Sequence, residues 1–409
     1  MLQPPPPFLS VTKRLWRELS MDWTPESLAA LPPQQSSTPR QPHATRVAYP
    51  FSTDATLREH YRGPWGGVRL GRILEDLDSL AGYVAWTHCS DGDARTRAPV
   101  CVTAAVEAME LAPAGKLHLD VDAEASGRVV WTGRTSLDLL MEFRQGGVRQ
   151  LAAVFTFVAR DALHNTPQPV SPLLLEEQLE APPGGSSGEG LDSAGSLRAL
   201  FRQRQAVADA RKQARSSELP SPVPESDSVI DAAAATARRL LERANTLATL
   251  PALCGQRALL SPATEVRSAF VCQPQQRNIH GRVFGGLLMR RAYELAFVAA
   301  YQYAGAVPRS LGIDEVQFKH PVNVGDLIHF NARLLWGAAS DSDPGRGCCH
   351  VQVQALVVQP EKVTSRVTNT FDFAFDFELG EGGGPKTVLP VTEEEALHVA
   401  KKYGDRCLE

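Results

Sequence analysis

Twice along this 409-residue chain a glycine turn runs into an apolar helix pattern, and a train of short strand patterns follows. The first copy opens at "GGVRLGRILEDLDSLAGYVAW" (66–86), the second at "NIHGRVFGGLLMRRAYELAFVAA" (278–300). Internal repetition of this kind limits the fold more than any single motif, because each copy must build the same kind of core. Helices are predicted at 71–86 and 285–301. The strand patterns after the first are "CVTAAVEAMEL", "KLHLDVDAEAS", "TSLDLLMEF" and "QLAAVFTFVARD"; after the second, "DEVQFKHP", "DLIHFNARLLW", "HVQVQALVVQ" and "TNTFDFAFDFE". The last alternates strictly. Phe371, Phe373, Phe375 and Phe377 share one face, with Asp372 and Asp376 on the other, as in a strand with one covered side. One long helix followed by antiparallel strands implies an α+β unit, a sheet wrapped round a helix. Two such units are expected to pair across a pseudo-two-fold axis, as homodimers do.

The expected organisation follows from composition shifts. Residues 1–45 form a proline-rich extension, 46–172 a first folded domain, 173–250 a linker with helical segments, 251–380 a second folded domain and 381–409 a tail. In the linker, "APPGGSSGEGLDSAGS" is rich in glycine, proline and serine. A basic helix pattern covers 196–214. A second helix is expected after Asp227 or Ser228 as cap, with a seam at Leu240, Leu241 and Leu247. Thr392 and Glu395 form a capping pattern in the tail. Val11, Leu15 and Leu19 could share one face of a short basic helix, which reads equally as a mitochondrial presequence or as an ordinary amphipathic helix. The net charge of −4 argues against broad nucleic-acid binding. No apolar run approaches the ~20 residues of a membrane span. Seven scattered cysteines without C-x-x-C argue against a disulfide framework or a cysteine zinc site, and for a reducing compartment. Asp314 and His320 flank a strand and read as loop or strand-end residues. There is no P-loop and no G-x-G-x-x-G.

The stretch from Asn278 to Gly286 matches N-x-x-G-x-x-x-G-G, and "FKHPVNVGD" (318–326) matches F-x-x-P-V-x-V-G-D. Both resemble the signatures of the hot-dog-fold acyl-CoA thioesterases. "GRILEDLDSLAG", "VVWTGRTSLDLLMEF" and "AVFTFVARD" are similar to their double hot-dog mitochondrial branch. The resemblance implies a tandem hot-dog fold that hydrolyses acyl-CoA to a free acid and coenzyme A. It implies no cofactor, coenzyme A being part of the substrate, and no nucleic-acid partner. A mitochondrial matrix location follows from it, with the cytoplasm as alternative, and homo-oligomers of double hot-dog chains are possible.

Thioester hydrolysis needs a polarised carbonyl, a positioned water and a base. Helix starts supply unpaired N–H groups and the positive end of a dipole, and glycine lets a carbonyl approach them. Gly71 and Arg72, and Gly285 and Gly286, are therefore candidate oxyanion and substrate-binding positions. At about 100° per residue, Asp78 lies about 20° from the face of Gly71, Glu75 about 40° and Asp76 about 140°. Asp78 is the preferred base and Glu75 the second choice, acting through water or through a transient anhydride. The resemblance pairs the acid of one unit with an asparagine of the other. Asn278 matches that asparagine, while Tyr293 stands where the second acid would be and Glu294 follows it. One complete set, Asn278 with Asp78, is expected. The resemblance also points to Thr135 and Ser136 at water or substrate, and to Arg134, Arg282 and Lys319 at the CoA phosphates. Two other readings are an enoyl-CoA hydratase, whose D-x-N-x-x-H pattern neither helix carries, and a non-catalytic acyl-CoA-binding protein.

Overall fold

The computed structural model describes residues 10–19, 28–34, 38–112, 117–174, 194–216, 227–253, 258–277, 282–314, 316–339, 343, 345–380, 386–404 and 407. They fall into two compact units. The first takes in residues 1–216 together with 273–290 and 317–324; the second holds 217–272, 291–316 and 325–409.

In the first unit, β1 (Ala44–Tyr49), β4 (Ala123–Thr132), β5 (Ser136–Gln145) and β6 (Val148–Arg160) pair antiparallel in that order. The long β6 then pairs β2 (Val100–Val106) and β3 (Met109–Leu111) along successive stretches. The helix α3 (Leu70–Cys89) packs on this sheet. It has no polar side-chain cap, and its core comes from Ile73, Leu74, Leu77, Leu80, Ala81, Val84 and Ala85, all fully buried. Each large member contributes roughly 1.5–3 kcal/mol by burial. Helix and strand approach so closely at Gly127 that a Cβ there would lie 2.8 Å from Met141 and 3.3 Å from Val84.

Two shorter helices close the polar side of α3. In α1 (Val11–Leu19), Val11, Thr12 and Leu15 are buried. The Thr12 N–H and hydroxyl donate to Asp76 Oδ1 at 3.2 and 2.7 Å. Tyr49 and Tyr61, the latter closing α2 (Ala55–Tyr61), both donate to Asp76 Oδ2. Asp76 thus turns away from the face of Asp78, as the helix arithmetic requires.

Within the 173–250 stretch, helix α4 (Ala194–Ser216) docks on the outer face of the first sheet. Leu200 packs on Val130, Leu140 and Val154. Arg204, its side chain 3% exposed, meets Asp138 and Glu107 at 2.8 and 2.6 Å. Trp131 donates its indole N–H to Gln205 at 2.8 Å. Composition marked the neighbouring glycines and serines, while the docking depends on one helix face.

In the second unit, β9 (Arg309–Ile313), β13 (Thr364–Glu378), β12 (Arg346–Gln359), β11 (Leu327–Ala339) and β8 (Val266–Val271) pair antiparallel in that order. The four phenylalanines of β13 are all buried. The helix α6 (Gly285–Ala304) starts in the first unit and continues in the second, where Tyr293 packs edge-on against Phe373, with ring centroids 5.8 Å apart. Its hydroxyl is 2.7 Å from that of Ser310. The opposite face of β13, expected to meet water, is also covered. Helices α5 (Asp227–Thr249) and α7 (Glu393–Tyr403) lie over this sheet, joining Leu240, Trp336 and Val399 in one core cluster. Leu241 and Leu247 pack against it. The hydroxyl of Thr392 caps α7 by accepting from Glu395 N–H at 3.2 Å, while the Glu395 carboxylate reaches back to Val391 N–H at 3.1 Å. A two-stranded parallel pair, β7 (Ala258–Leu260) with β14 (Thr387–Leu389), sits beside this cluster. The chain passes back to the first unit through β10 (Val316–Gln317).

Candidate active site

Asp78 sits in the middle of α3, its residue only 4% exposed, at the edge of a cavity of about 430 Å³ in the first unit. One wall is the α3 face that carries Asp78, Gly82, Tyr83 and Trp86. Measured from Asp78, Gly82, Trp86 and Tyr83 lie about 40°, 80° and 140° round the helix, so this wall is a broad helical face with the two aromatic rings toward one side of it. Thr103 on β2, Phe157 on β6, Leu288, and Phe318 in the stretch after β10 are among the other lining residues. Phe318 is fixed by its N–H to the Ala104 carbonyl at 3.0 Å. Arg160, Arg282, Lys319 and His320 bring basic groups to the same cavity.

The Asp78 carboxylate is held at both oxygens. Oδ1 accepts from the Thr103 hydroxyl at 2.9 Å, and Oδ2 accepts from the Gly286 N–H at 2.6 Å. The second bond comes from the first turn of α6, where backbone N–H groups have no intrahelical acceptor. Glycine is needed there. A Cβ at Gly286 would stand 2.9 Å from both Asp78 Cβ and the Glu75 carbonyl, and one at Gly285 would stand 2.9 Å from the Phe318 ring. Burial raises the pKa of Asp78 to about 6; the Thr103 and Gly286 hydrogen bonds oppose that rise, and nearby Glu75 adds to it. The carboxylate is therefore ionised at neutral pH yet basic enough to accept a proton, which suits general-base work.

Glu75, one turn before Asp78, is tied into ion pairs instead. Its Oε2 lies 2.5 Å from Arg290 Nη1 and 3.4 Å from Arg72 Nη1. Gly71 and Arg72 do not line the cavity, and the Arg72 N–H donates to the Arg69 carbonyl at 2.9 Å. The angular reasoning had put Gly71 on the face of Asp78, but seven residues also carry the chain about 10 Å along the helix axis. The N–H groups beside Asp78 belong to the other helix, at Gly285 and Gly286.

Thr135 and Ser136 stand at the β4–β5 turn, away from the cavity lining. The Thr135 carbonyl accepts from Ala159 N–H at 2.9 Å, and that of Ser136 from Gly133 N–H at 2.8 Å. Arg134 is likewise outside the lining, its carbonyl bonded to Val170 N–H at 3.0 Å. Glu294 is half-buried on α6 in the second unit. Asn278 lies outside the described residues. Thr103, the side-chain donor to Asp78, went unread in the sequence. It follows the acid by 25 positions, across a loop, and nothing in "CVTAAV" separates it from ordinary β-branched packing.

No family model matches the chain. The chain is 36% identical over 387 residues to acyl-coenzyme A thioesterase 2, chloroplastic, of Humulus lupulus, covering 91% of this chain and 82% of that protein. It is 35% identical to the mitochondrial acyl-coenzyme A thioesterase 4 of the same plant, with 96% and 72% covered. Human acyl-coenzyme A thioesterase 9, mitochondrial, is 29% identical, with 93% and 80% covered. Among solved structures, a Staphylococcus aureus acyl-CoA hydrolase aligns with TM-score 0.31 and 23% identity over 36% of this chain and 89% of that one. With likeness to named thioesterases at this level along nearly its whole length, and a hot-dog arrangement in each half, the chain belongs to the acyl-coenzyme A thioesterase family.

Proposed function

We propose that the chain hydrolyses acyl-CoA thioesters at the Asp78 cavity, giving a free carboxylic acid and coenzyme A. The observation that carries this reading is a buried carboxylate of raised pKa, pinned by Thr103 and by the N–H of Gly286 beside a helix start. The thioester carbonyl lies at the start of α6, where first-turn N–H groups stabilise the oxyanion. Asp78 takes a proton from water as its oxygen bonds to the carbonyl carbon. The tetrahedral intermediate collapses with cleavage of the C–S bond, and the departing thiolate recovers the proton from Asp78. The amide of Asn278 orients the water or the carbonyl. The acyl chain runs along the wall formed by Gly82, Tyr83 and Trp86, and Arg282 and Lys319 meet the phosphates by charge-assisted hydrogen bonds.

Self-association of double hot-dog chains and a mitochondrial address belong to the same proposal. The address is supported by a family whose named members are chloroplastic and mitochondrial. Among the described residues, no helix is long and apolar enough to cross a membrane.

Steady-state hydrolysis of an acyl-CoA panel tests the site. Asp78→Asn lowers kcat by about 10²–10⁴-fold, and Asn278→Ala by about 10²-fold. Wild-type rates in both variants would overturn it.

A further inference from the structure

A second cluster of chemistry-bearing side chains lies in the second unit, on the outer face of its sheet. His350 on β12 is fully buried, and its Nε2 is 2.8 Å from Asp372 Oδ1 on β13. A carboxylate can only accept, so Nε2 carries the ring proton and Nδ1 the lone pair. The Tyr403 hydroxyl at the end of α7 donates to Nδ1 at 2.8 Å. His398, also on α7, meets His350 edge to face with ring centroids 5.3 Å apart. Its Nε2 is buried 3.7 Å from Asp372 Oδ1 and makes no hydrogen bond among the described residues. Asp314 follows β9 and is held beside Asp372 by its N–H to the Asp372 carbonyl at 2.9 Å. One ligand atom each from Asp314, His350 and His398 falls within 4.8 Å of the others.

We propose that Asp314, His350 and His398 bind a divalent cation of the zinc class, with Asp372 as the outer carboxylate that fixes the tautomer of His350. Two imidazoles and one carboxylate select zinc and its neighbours over magnesium or calcium, which prefer oxygen sets. A carboxylate on the far nitrogen of a ligating histidine is the usual support for such a centre. Donors around a tetrahedral zinc stand about 3.3 Å apart. The ion takes the Nδ1 lone pair of His350 in place of the Tyr403 hydroxyl that donates there, and the present spread closes by rotation of Asp314 and His398, the two partly exposed members, whose side chains are 38% and 37% accessible and leave a route for the ion. The ion would fasten the end of β9, β12 and α7, elements far apart in the sequence. Lys402 Nζ pairs with Asp314, so its ammonium competes with the cation for that carboxylate.

Full-length protein stripped with a chelator and titrated with Zn²⁺ by calorimetry tests this, alongside thermal melting with and without zinc. The wild type takes up one equivalent, and its Tm rises, because a ligand of the folded state stabilises it. His398→Asn and Asp314→Asn each weaken binding by about tenfold or more and abolish the Tm rise. Lys402→Met removes the competing ammonium and tightens binding. If zinc fails to bind stoichiometrically, or binds both ligand variants as it binds the wild type, the cluster is only a polar network that seats α7 and the proposal fails. Unchanged or weaker binding by Lys402→Met counts against Asp314 as a ligand and overturns the site as drawn.

Discussion

Thr103 does one identifiable thing for Asp78: its hydroxyl donates to Oδ1 and so favours the charged form. Thr103→Val removes that donor and leaves the packing nearly intact. The acid limb of the kcat/KM profile, which rises through about pH 6 in the wild type, then moves to higher pH, and Thr103→Ser restores it; a pH–rate series on the three proteins measures this. The same carboxylate has a stability cost. Its pKa is about 6 when folded and 3.8 as the ordinary value, so folding takes up a proton. This contribution to stability is fully present below about pH 3.8 and is lost as the pH rises through about 6. Asp78→Asn should therefore be more stable than the wild type at pH 8, by about 3 kcal/mol, with the gap closing toward pH 4. Urea melts across that range read it directly. Angular spacing on one helix is simple arithmetic, and it separated Asp78 from Asp76, whose carboxylate turns to Thr12, Tyr49 and Tyr61. Of the two glycine helix starts read as candidate donors, Gly285 and Gly286 lie beside Asp78 and Gly71 does not, because angle alone ignores the rise along a helix; Thr103 was hidden because a strand threonine has no periodic signature that marks it as a partner.

At the scale of elements, the helices assigned to the linker carry more than connection. Arg204 of α4 is buried between Asp138 and Glu107, and Asp138 is itself 2% exposed and also receives the Thr156 hydroxyl at 2.8 Å. Removing the arginine strands a buried charge. Arg204→Ala therefore costs about 3–5 kcal/mol, measured by chemical denaturation, whereas replacing an exposed ion pair such as Arg46 with Glu124 costs under about 1 kcal/mol. The strand β13 was legible from its alternation, and so was the side its phenylalanines bury. That its aspartates would be covered was not legible, since a polar face looks the same in sequence whether water or a helix lies over it. What covers Asp376 is an arginine pair, Arg309 at 2.5 Å and Arg346 at 2.9 Å, drawn from two other strands.

For the whole molecule, the duplication read from the sequence reappears as two runs of antiparallel strands, each with a long helix, but the compact units do not follow the repeats. Residues 273–290 and 317–324 of the second repeat cluster with the first unit, and they bring Gly286 to Asp78. A boundary drawn from composition cannot anticipate that exchange, because it depends on where a strand and a helix start settle in space. The two helices are also unequal: Asp78 on α3 has two donors, while Tyr293 on α6 is packed among phenylalanines and bonded to Ser310. A tight-binding, non-hydrolysable acyl-CoA analogue should therefore titrate catalysis at one equivalent per chain, and an endpoint of two would contradict the inequality.

Two copies of a pattern within one chain are written at separate positions, so a change in one leaves the other untouched. Asp78 on one helix can therefore hold a carboxylate at the cavity while Tyr293 on the other builds an aromatic core, a division that a self-pairing short chain, with one codon for both places, has no means to make.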